Sequence, residues 1–161
     1  MTLAQIIKKH PFTAGLTDSQ IATLAQLAHK VNFKDNEVVL ITGEQARNFY
    51  LLLSGSVCVE VVTSICVVWV QILQPGDAFG WSALLDHHDT LFQVRTREAS
   101  QALCLNGDRL CALLHEDAVL AAELFRRALN LVAGRVQATE TRLGELCGWK
   151  VKREQAVVSE K

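Results

Sequence analysis

The sequence has no excess of charge of one sign and no long hydrophobic run. Its 16 Lys and Arg residues nearly balance its 17 Asp and Glu residues, which gives a formal net charge of −1. That balance excludes the strong positive field on which sequence-independent nucleic-acid binding depends. The longest apolar run, ICVVWVQIL, is much shorter than the roughly 20 residues that a membrane-spanning helix needs. We therefore expect no direct binding to nucleic acid and no membrane segment.

The chain also lacks a secretory signal, and its cysteines are too few and too irregularly spaced to indicate a disulfide framework. Lys8 and Lys9 follow the first amphipathic stretch, whereas a signal peptide carries its basic residues before an apolar run. The five cysteines are odd in number and include no CxxC motif, which favours reduced thiols in a cytoplasm. Cys111 and His115 have the i,i+4 spacing of two metal ligands on a helix, but no third ligand accompanies them. The expected protein is cytoplasmic, without a disulfide, a metal site or a cofactor.

The sequence does contain helical periodicity at both ends and strand-like runs between them. The N-terminal part predicts a short helix, a break at Pro11 and Gly15, and a second helix that starts at Thr17-Asp18. From Val31 the chain turns into short runs rich in Val, Ile, Phe and Tyr, separated by turn residues. These runs are VNF, EVVLI, NFYLLL, SVCVEVV, ICVVWVQIL, LFQVRT and QALCL. Their spacing predicts an antiparallel barrel or sandwich, interrupted by one helix-forming stretch, FGWSALL.

A long C-terminal helix is predicted from about Ala118 to Trp149, because this stretch is periodic and contains no proline. One line of positions advances in alternating steps of four and three, which makes it a heptad seam: Phe125, Leu129, Val132, Val136, Thr139, Leu143 and Leu146. A second apolar stripe lies on another face: Leu120, Leu124, Ala128 and Leu131. The seam favours a homodimer through the long helix. The alternative is that both stripes pack within one chain.

Several motifs occur in the order that one known family shows. HPFTAGLTDSQIATLAQLA precedes FKDNEVVLITGEQARNFYLLLSGSVCVEV, QPGDAFG comes next, and LFRRALNLVAGRVQATETRL closes the set. The ordered set resembles the cyclic-nucleotide-binding domain of catabolite activator proteins, of cyclic-AMP-dependent kinase regulatory subunits and of cyclic-nucleotide-gated channels. The resemblance implies an α+β, mainly β fold. It would be an antiparallel β-roll, or jelly-roll-like double-stranded barrel, with N-terminal helices and a long C-terminal helix.

The same resemblance implies the organisation of the chain. The expected domain is residues 1–150, divided into N-terminal helices at 2–29, a β-roll at 31–105 and C-terminal helices at 107–149, with a polar tail at 151–161. Gly43, Gly55 and Gly76 fall where strands reverse, and Asn36 stands where the family often has glycine. We expect left-handed backbone at these four turns.

The resemblance places a candidate ligand site, here called the cassette, at and after QPGDAFG. In the family, backbone N–H groups at the start of a short helix face the cyclic phosphate. On this chain the cassette comprises Phe79, Gly80, Trp81, Ser82, Ala83, Thr90 and Arg95. Trp81 replaces the family's glutamate, which holds the ribose hydroxyl, and Thr90 replaces its arginine, which pairs with the phosphate. This GWS form is similar to a bacterial subgroup of short proteins with a degenerate cassette and no helix-turn-helix.

Three further features are weaker candidates. Arg95 lies on the strand that follows Thr90, but strand alternation turns it to the opposite face, which favours a rim arginine over a phosphate clamp. The HHD triplet that starts at His87 is interpreted as an exposed turn rather than a metal site. Thr139 is the polar member of the heptad seam. It is a candidate for a ligand contact across the dimer, as the resemblance implies, or for setting the register of the seam.

The favoured function is a non-catalytic regulatory or sensor domain, dimeric, with weak or no binding of cyclic AMP and cyclic GMP. A lost arginine–phosphate pair removes a charge-assisted hydrogen bond worth about 1.5–3 kcal/mol. One alternative is a pseudo-sensor scaffold for protein–protein interaction, with Trp81 filling the pocket. Another is the sensor part of a transcription regulator without its DNA-binding domain, because the roughly dozen residues after Trp149 are too few for a helix-turn-helix.

Catalytic motifs are missing from the sequence. It has no GxSxG motif, no P-loop and no paired carboxylates at helical spacing, so we expect no catalytic residue and no enzyme. A β-roll also resembles the cupins, whose metal ligands include histidines on strands. No predicted strand carries a histidine, which counts against that alternative.

Overall fold

A computed structural model of the chain describes residues 1–85 and 89–148. Two helices open the fold, α1 at Leu3–Lys9 and α2 at Asp18–Leu27, with a 3-10 turn at Pro11–Thr13 between them. Both helices begin with a capping box, in which the N-cap threonine and a glutamine three residues later exchange hydrogen bonds with the backbone. The helix start predicted at Thr17-Asp18 is confirmed.

Eight strands follow in the described ranges and pair into two antiparallel sheets of four strands each. They are β1 Ala28–Phe33, β2 Val38–Leu40, β3 Asn48–Ser54, β4 Val57–Val62, β5 Val67–Leu73, β6 Ala78–Phe79, β7 Gln93–Thr96 and β8 Ser100–Asn106. One sheet has the order β1-β8-β3-β6 and the other β2-β7-β4-β5. This arrangement confirms the antiparallel β-roll, although helices hold about 43% of the described residues and strands about 30%.

The core consists of two apolar clusters that share β3. Strand side chains alternate between faces, so Phe49 and Leu51 pack against the helices whereas Tyr50 and Leu52 point between the two sheets. Leu52 is completely buried there. The four turns predicted to be left-handed have positive φ, including Asn36 at 56°. The interior of the roll is therefore filled by side chains, and the helices cover its outer face along β3.

The described part of the chain ends in two helices, α3 at Gly107–Glu116 and α4 at Ala118–Leu146. Asp117 caps α4, since its carboxylate accepts a hydrogen bond from the N–H of Leu120 at 2.9 Å. The second apolar stripe is buried at Leu120, Leu124 and Ala128. The seam lies on the other face of α4. Five of its members are exposed: Phe125, Leu129, Val136, Leu143 and Leu146.

The first strand begins earlier than the sequence pattern predicts. β1 starts at Ala28, where helical periodicity still continues, because all six of its residues pair with β8 from Ala28–Leu105 to Phe33–Ser100. His29 therefore lies on a strand, and the expectation that no strand carries a histidine is wrong. None of the helices in residues 1–85 and 89–148 is both long and apolar enough to cross a membrane. Trp149 and the tail at 151–161 lie outside the described residues.

Candidate functional site

Gly80 shapes the start of the cassette. It follows β6, has a φ of 81° and precedes a 3-10 helix at Trp81–Leu84. A Cβ atom at this position would lie 2.5 Å from the carbonyl oxygen of Asn48, so a side chain is excluded by the close approach of β3 as well as by the backbone angle. The turn at Gly80 positions the indole of Trp81 and the buried Ser82 beside the cavity described next.

A small cavity lies against this turn. It is lined by Leu40, Val59, Phe79, Gly80, Trp81, Ser82, Thr90, Leu91, Phe92, Val94 and Arg135. Its volume is about 20 Å³, which accommodates about one water molecule. Pockets that take drug-sized or cofactor-sized ligands measure about 300–1,000 Å³. In this conformation the cavity is by itself too small for a nucleotide, although a pocket of about 460 Å³ shares Leu40 and Thr90 with its walls.

The structure brings most of the predicted cassette residues together. Phe79, Gly80, Trp81, Ser82 and Thr90 all line the cavity. Two predicted residues, Ala83 and Arg95, are not among its walls. The carbonyl of Ala83 instead faces α3, where it accepts a weak hydrogen bond from Sγ of Cys111 at 3.5 Å.

The side chain of Arg95 points to the other face of β7, where its charge pairs with a carboxylate. Its Nε lies 3.4 Å from Oε2 of Glu60, a carboxylate that is buried and that also accepts a hydrogen bond from Gln93 at 2.8 Å. Nη1 of Arg95 reaches the backbone and side-chain oxygens of Asn36, both at 3.4 Å. The guanidinium therefore closes a polar cluster between β4, β7 and the turn before β2.

Thr90 lies in the cavity wall, and the family resemblance assigns to it the position of the family's arginine. Its backbone is clamped by the loop before β3, because its N–H donates to Glu44 and its carbonyl accepts from Gly43, both at 2.8 Å. Its side chain is buried and brings a hydroxyl rather than a charge. The neighbouring Asp89 is exposed and pairs with Gln45 through an isolated antiparallel β-bridge of the backbone. The two histidines of the HHD triplet lie outside the described residues.

Arg135, on α4, is the charged residue that the sequence analysis missed. Its side chain enters the cavity wall from the helix and lies over the ring of Phe92, with the guanidinium carbon 5.6 Å from the ring centre. The residue is 7% exposed, and among the described residues its Nη1 has no hydrogen-bond partner and it forms no ion pair. A signal was present in the sequence, because Arg135 continues the spacing of the stripe that ends at Ala128 and Leu131.

The protonation state of Arg135 follows from its surroundings. Burial lowers the pKa of Arg135 to about 10, although the negative charges of Asp77 and of the Cys58 thiolate would raise it. The guanidinium therefore stays charged near neutral pH. It is the one cation among the described side chains that line the cavity.

An open apolar groove adjoins the cavity along α4. Its volume is about 300 Å³, and its walls are Trp81, Leu91, Phe92, Val132, Arg135, Val136, Thr139 and Glu140. Thr139, the predicted cross-dimer contact, lies in this groove, and its hydroxyl donates to the carbonyl of Arg135 at 2.8 Å. Three seam positions thus share one surface with Trp81, which joins the cassette to the seam.

The described residues contain no group of three or more His, Cys, Asp or Glu side chains that could hold a metal ion. His115 and Cys111, the pair at helical spacing, contact each other through Nδ1 of the ring and the cysteine carbonyl at 2.8 Å. His29, the histidine on β1, is exposed.

Comparisons with known proteins agree with this geometry. A sequence model of the cyclic nucleotide-binding domain matches residues 30–117, more than half of the chain. A Geobacter metallireducens structure, provisionally named a cyclic nucleotide-binding protein, is 25% identical with a TM-score of 0.75, over 84% of this chain and 99% of that one. The regulatory subunit of a cAMP-independent protein kinase A from Trypanosoma brucei is 21% identical with a TM-score of 0.67, over 90% of this chain and 50% of that one.

Among curated proteins, the rice potassium channel AKT1 is 27% identical over 103 residues, which are 64% of this chain and 11% of the channel. This chain therefore corresponds to a small part of that channel. The family match spans the β-roll and the cassette together, and the solved structures share the two-sheet fold. On these grounds the chain belongs to the family of cyclic nucleotide-binding domains.

Proposed function

We propose that the chain is a non-catalytic regulatory domain that works as a homodimer and binds cyclic AMP and cyclic GMP weakly or not at all. The observation that carries this proposal is the filled cassette, where Trp81, Phe92 and Arg135 leave a cavity of about 20 Å³. A nucleotide would have to displace these side chains before it could bind. The energy of that displacement subtracts from any affinity.

The chemistry of the walls supports weak binding further. Thr90 offers no charge to a phosphate where the family has arginine, and Trp81 offers no carboxylate to a ribose. Each lost charge-assisted hydrogen bond weakens binding by about 1.5–3 kcal/mol, or about 10- to 100-fold in affinity. Together with the filled cavity, these losses move the dissociation constant for a cyclic nucleotide toward the millimolar range.

The seam on α4 supports the homodimer. Leu129 is 66% exposed, Leu143 60% and Val136 51%, although all three occupy core positions of a heptad repeat. The occupant that fits such a repeat is the same helix from a second copy of the chain. Because Val136 also lines the groove with Trp81, the second helix would lie beside the cassette. A change at the cassette would then alter the dimer surface.

The second candidate is a pseudo-sensor scaffold, in which the same domain dimerises and binds a protein partner without any small-molecule ligand. The specific observation in its favour is the indole of Trp81 in the cavity wall. The two candidates agree on the dimer and differ on whether the cassette ever opens.

A fluorescence titration tests the proposal. We expect tryptophan emission to show no saturable change on addition of cyclic AMP or cyclic GMP below about 1 mM, a concentration that corresponds to a binding free energy of about −4.1 kcal/mol. A saturable response at micromolar nucleotide would contradict the proposal, since it would require a cavity that opens readily. A buffer of matched ionic strength is the control.

A further inference from the structure

A second cavity lies away from the cassette, on the face of the β1-β8-β3-β6 sheet against which the helices pack. Its volume is about 410 Å³, within the range of about 300–1,000 Å³ that small-molecule sites have. Lys30, Gln101 and Leu53 line it from β1, β8 and β3, and strand alternation places all three on the helix-facing side of the sheet. The last turn of α1 and the turn at Pro75 and Gly76 form further walls. No described residue lines both this cavity and the cassette cavity, so the two are separate.

Apolar side chains form part of the walls. Ile6 comes from α1, Pro75 from the turn before β6 and Leu53 from the sheet. Pro75 is exposed, and Ile6 and Leu53 are half-buried, so part of each surface stays open to the cavity. A ligand that covers these side chains gains affinity by burying hydrocarbon, at about 4-fold per fully buried CH₂ group.

Two neutral polar side chains in the walls are already paired within the protein. Both ring nitrogens of His10 form hydrogen bonds at 3.2 Å, one with the N–H of Phe12 and the other with the carbonyl of Leu52. The side-chain amide of Gln101 donates to Asn32 at 2.8 Å. The charge of a ligand is therefore selected by the ionised groups at the cavity and not by these two.

Two lysines supply that charge. Lys9 extends from the last turn of α1 and Lys30 from β1. Both are exposed, and neither ammonium group has an ion pair or a hydrogen bond among the described residues. No Asp or Glu in this part of the chain lines the cavity, and the adjacent Asp77 accepts the N–H of Gln74 at 2.8 Å. The cavity thus presents positive charge beside apolar surface.

We propose that this cavity is a second ligand site, and that it binds a small monocarboxylate with an apolar body, such as a medium-chain fatty acid. The carboxylate would pair with the ammonium groups of Lys9 and Lys30, whose long stems keep these groups in water. The hydrocarbon would cover Ile6, Leu53 and Pro75. The site is separate from the cassette and does not depend on nucleotide binding there.

Calorimetric titration with a series of fatty acids tests the site. Hexanoate, octanoate and decanoate are added at neutral pH, below the concentrations at which they form micelles. We expect saturable binding that tightens by at least about 10-fold from hexanoate to decanoate, because part of each added CH₂ group is buried. Decanol and decylammonium carry the same hydrocarbon and should bind about 5- to 10-fold more weakly, because the lysines attract only the carboxylate.

Paired substitutions test the role of the lysines. Lys9→Gln combined with Lys30→Gln removes the positive charge at the cavity, and we expect decanoate to bind about 5- to 10-fold more weakly. Lys8→Gln combined with Lys34→Gln is the matched control, because it removes the same charge from α1 and from the residue after β1 without changing the walls. The control should bind decanoate as tightly as wild type does.

Amide chemical shifts locate the bound ligand. A proton–nitrogen correlation spectrum recorded during the titration should show saturable shifts at Lys30, Leu53 and Gly76, which line the cavity. The apolar groove beside Trp81 and Val136 is the competing place for a hydrocarbon, and its amide signals should not move. Shifts confined to that groove would overturn the proposal.

Three calorimetric results would also overturn it: no saturable heat with decanoate, equal affinity for decanoate and decanol, or equal decanoate affinity in the Lys9 and Lys30 double variant and its control. Failure of the proposed function looks different. It would appear as micromolar binding of cyclic AMP with shifts at the cassette, whatever the response to decanoate.

Discussion

By the family resemblance, Trp81 and Thr90 are the two residues that separate this cassette from one that pairs with a cyclic phosphate and a ribose. Both line the cavity, so their side chains are in contact range of any ligand that enters it. Neither residue is strained into place. Thr90 is fixed by two backbone hydrogen bonds to the loop before β3, and Trp81 follows the left-handed Gly80. The scaffold that presents the two side chains is thus intact, and substitution there changes chemistry more than fold.

We therefore predict that Trp81→Glu combined with Thr90→Arg increases the affinity for cyclic AMP by at least about 10-fold over wild type, since each restored charge contributes about 1.5–3 kcal/mol. Calorimetric titration of both proteins measures the gain. Trp81→Glu combined with Val119→Arg is the matched control, because it adds the same charges but places the arginine on an exposed residue that does not line the cavity. Equal affinity in the two double variants would show that the position of the arginine is unimportant.

His10 makes a separate prediction at the residue scale. Its Nδ1 accepts a hydrogen bond from the N–H of Phe12 and its Nε2 faces the carbonyl of Leu52, both at 3.2 Å. A carbonyl can only accept, so Nε2 carries the proton and the buried ring is neutral. Burial lowers the pKa of His10 below its ordinary value of 6.5, although the Leu52 carbonyl and Asp77 would raise it.

The sign of the pH effect follows from that direction. The unfolded chain takes up a proton near pH 6.5, whereas the folded protein takes it up at lower pH, so the free energy of unfolding decreases as the pH falls below 6.5. Urea denaturation between pH 7.5 and about 5 should show this decrease, and His10→Gln should reduce the decrease. His115→Gln, at an exposed histidine, is the control. An unchanged pH dependence in the His10 variant would contradict the prediction.

At the scale of elements, α4 presents two different apolar faces. One face packs on the roll through Leu120, Leu124 and Ala128, and the other presents the seam. Exposed leucines at heptad core positions are costly for an isolated chain, because apolar surface in water loses about 25 cal/mol per Å² relative to burial. The cost disappears when two copies of α4 pack together.

We predict that Leu129→Asp converts the dimer into a monomer, because a carboxylate at a core position of a two-helix seam is buried without a partner. Sedimentation velocity of both proteins at the same concentration checks the result. Asn130→Asp adds the same charge one position away, on the exposed surface of α4, and should remain dimeric. A monomeric wild-type protein, or a dimeric Leu129 variant, would contradict the seam as the dimer surface.

Elements also differ in how well the sequence predicts them. Helix starts depend on local chemistry, so the start at Thr17-Asp18 is predicted without a structure, whereas the structure adds the capping box with Gln20. The start of β1 depends on pairing with β8, which lies about seventy positions away and overrides the local helical period. The cassette residues followed from the ordered motifs, but the inward direction of Arg135 depends on where α4 crosses the roll. Sequence motifs therefore predict the residues of the cassette, but they do not predict that Arg135 points into its cavity.

At the scale of the whole molecule, the cassette and the seam meet in one groove. Val132, Val136 and Thr139 line it together with Trp81, and Arg135 passes from this groove into the cavity wall. A second copy of α4 on the seam would therefore contact the surroundings of the cassette. The central claim of a regulatory dimer is that a change at the cassette alters dimerisation through the seam. Thermodynamic linkage then requires that dimerisation also alters the cassette.

The most direct test is the emission of Trp81 as the protein is diluted through its monomer–dimer equilibrium. With Trp69→Phe and Trp149→Phe, the emission reports on Trp81, and sedimentation of the same samples gives the fraction of dimer. We predict that the emission maximum shifts with the same midpoint as dimer dissociation, because a partner helix on the seam would lie beside the indole. Constant emission across the range in which the dimer dissociates would contradict the account.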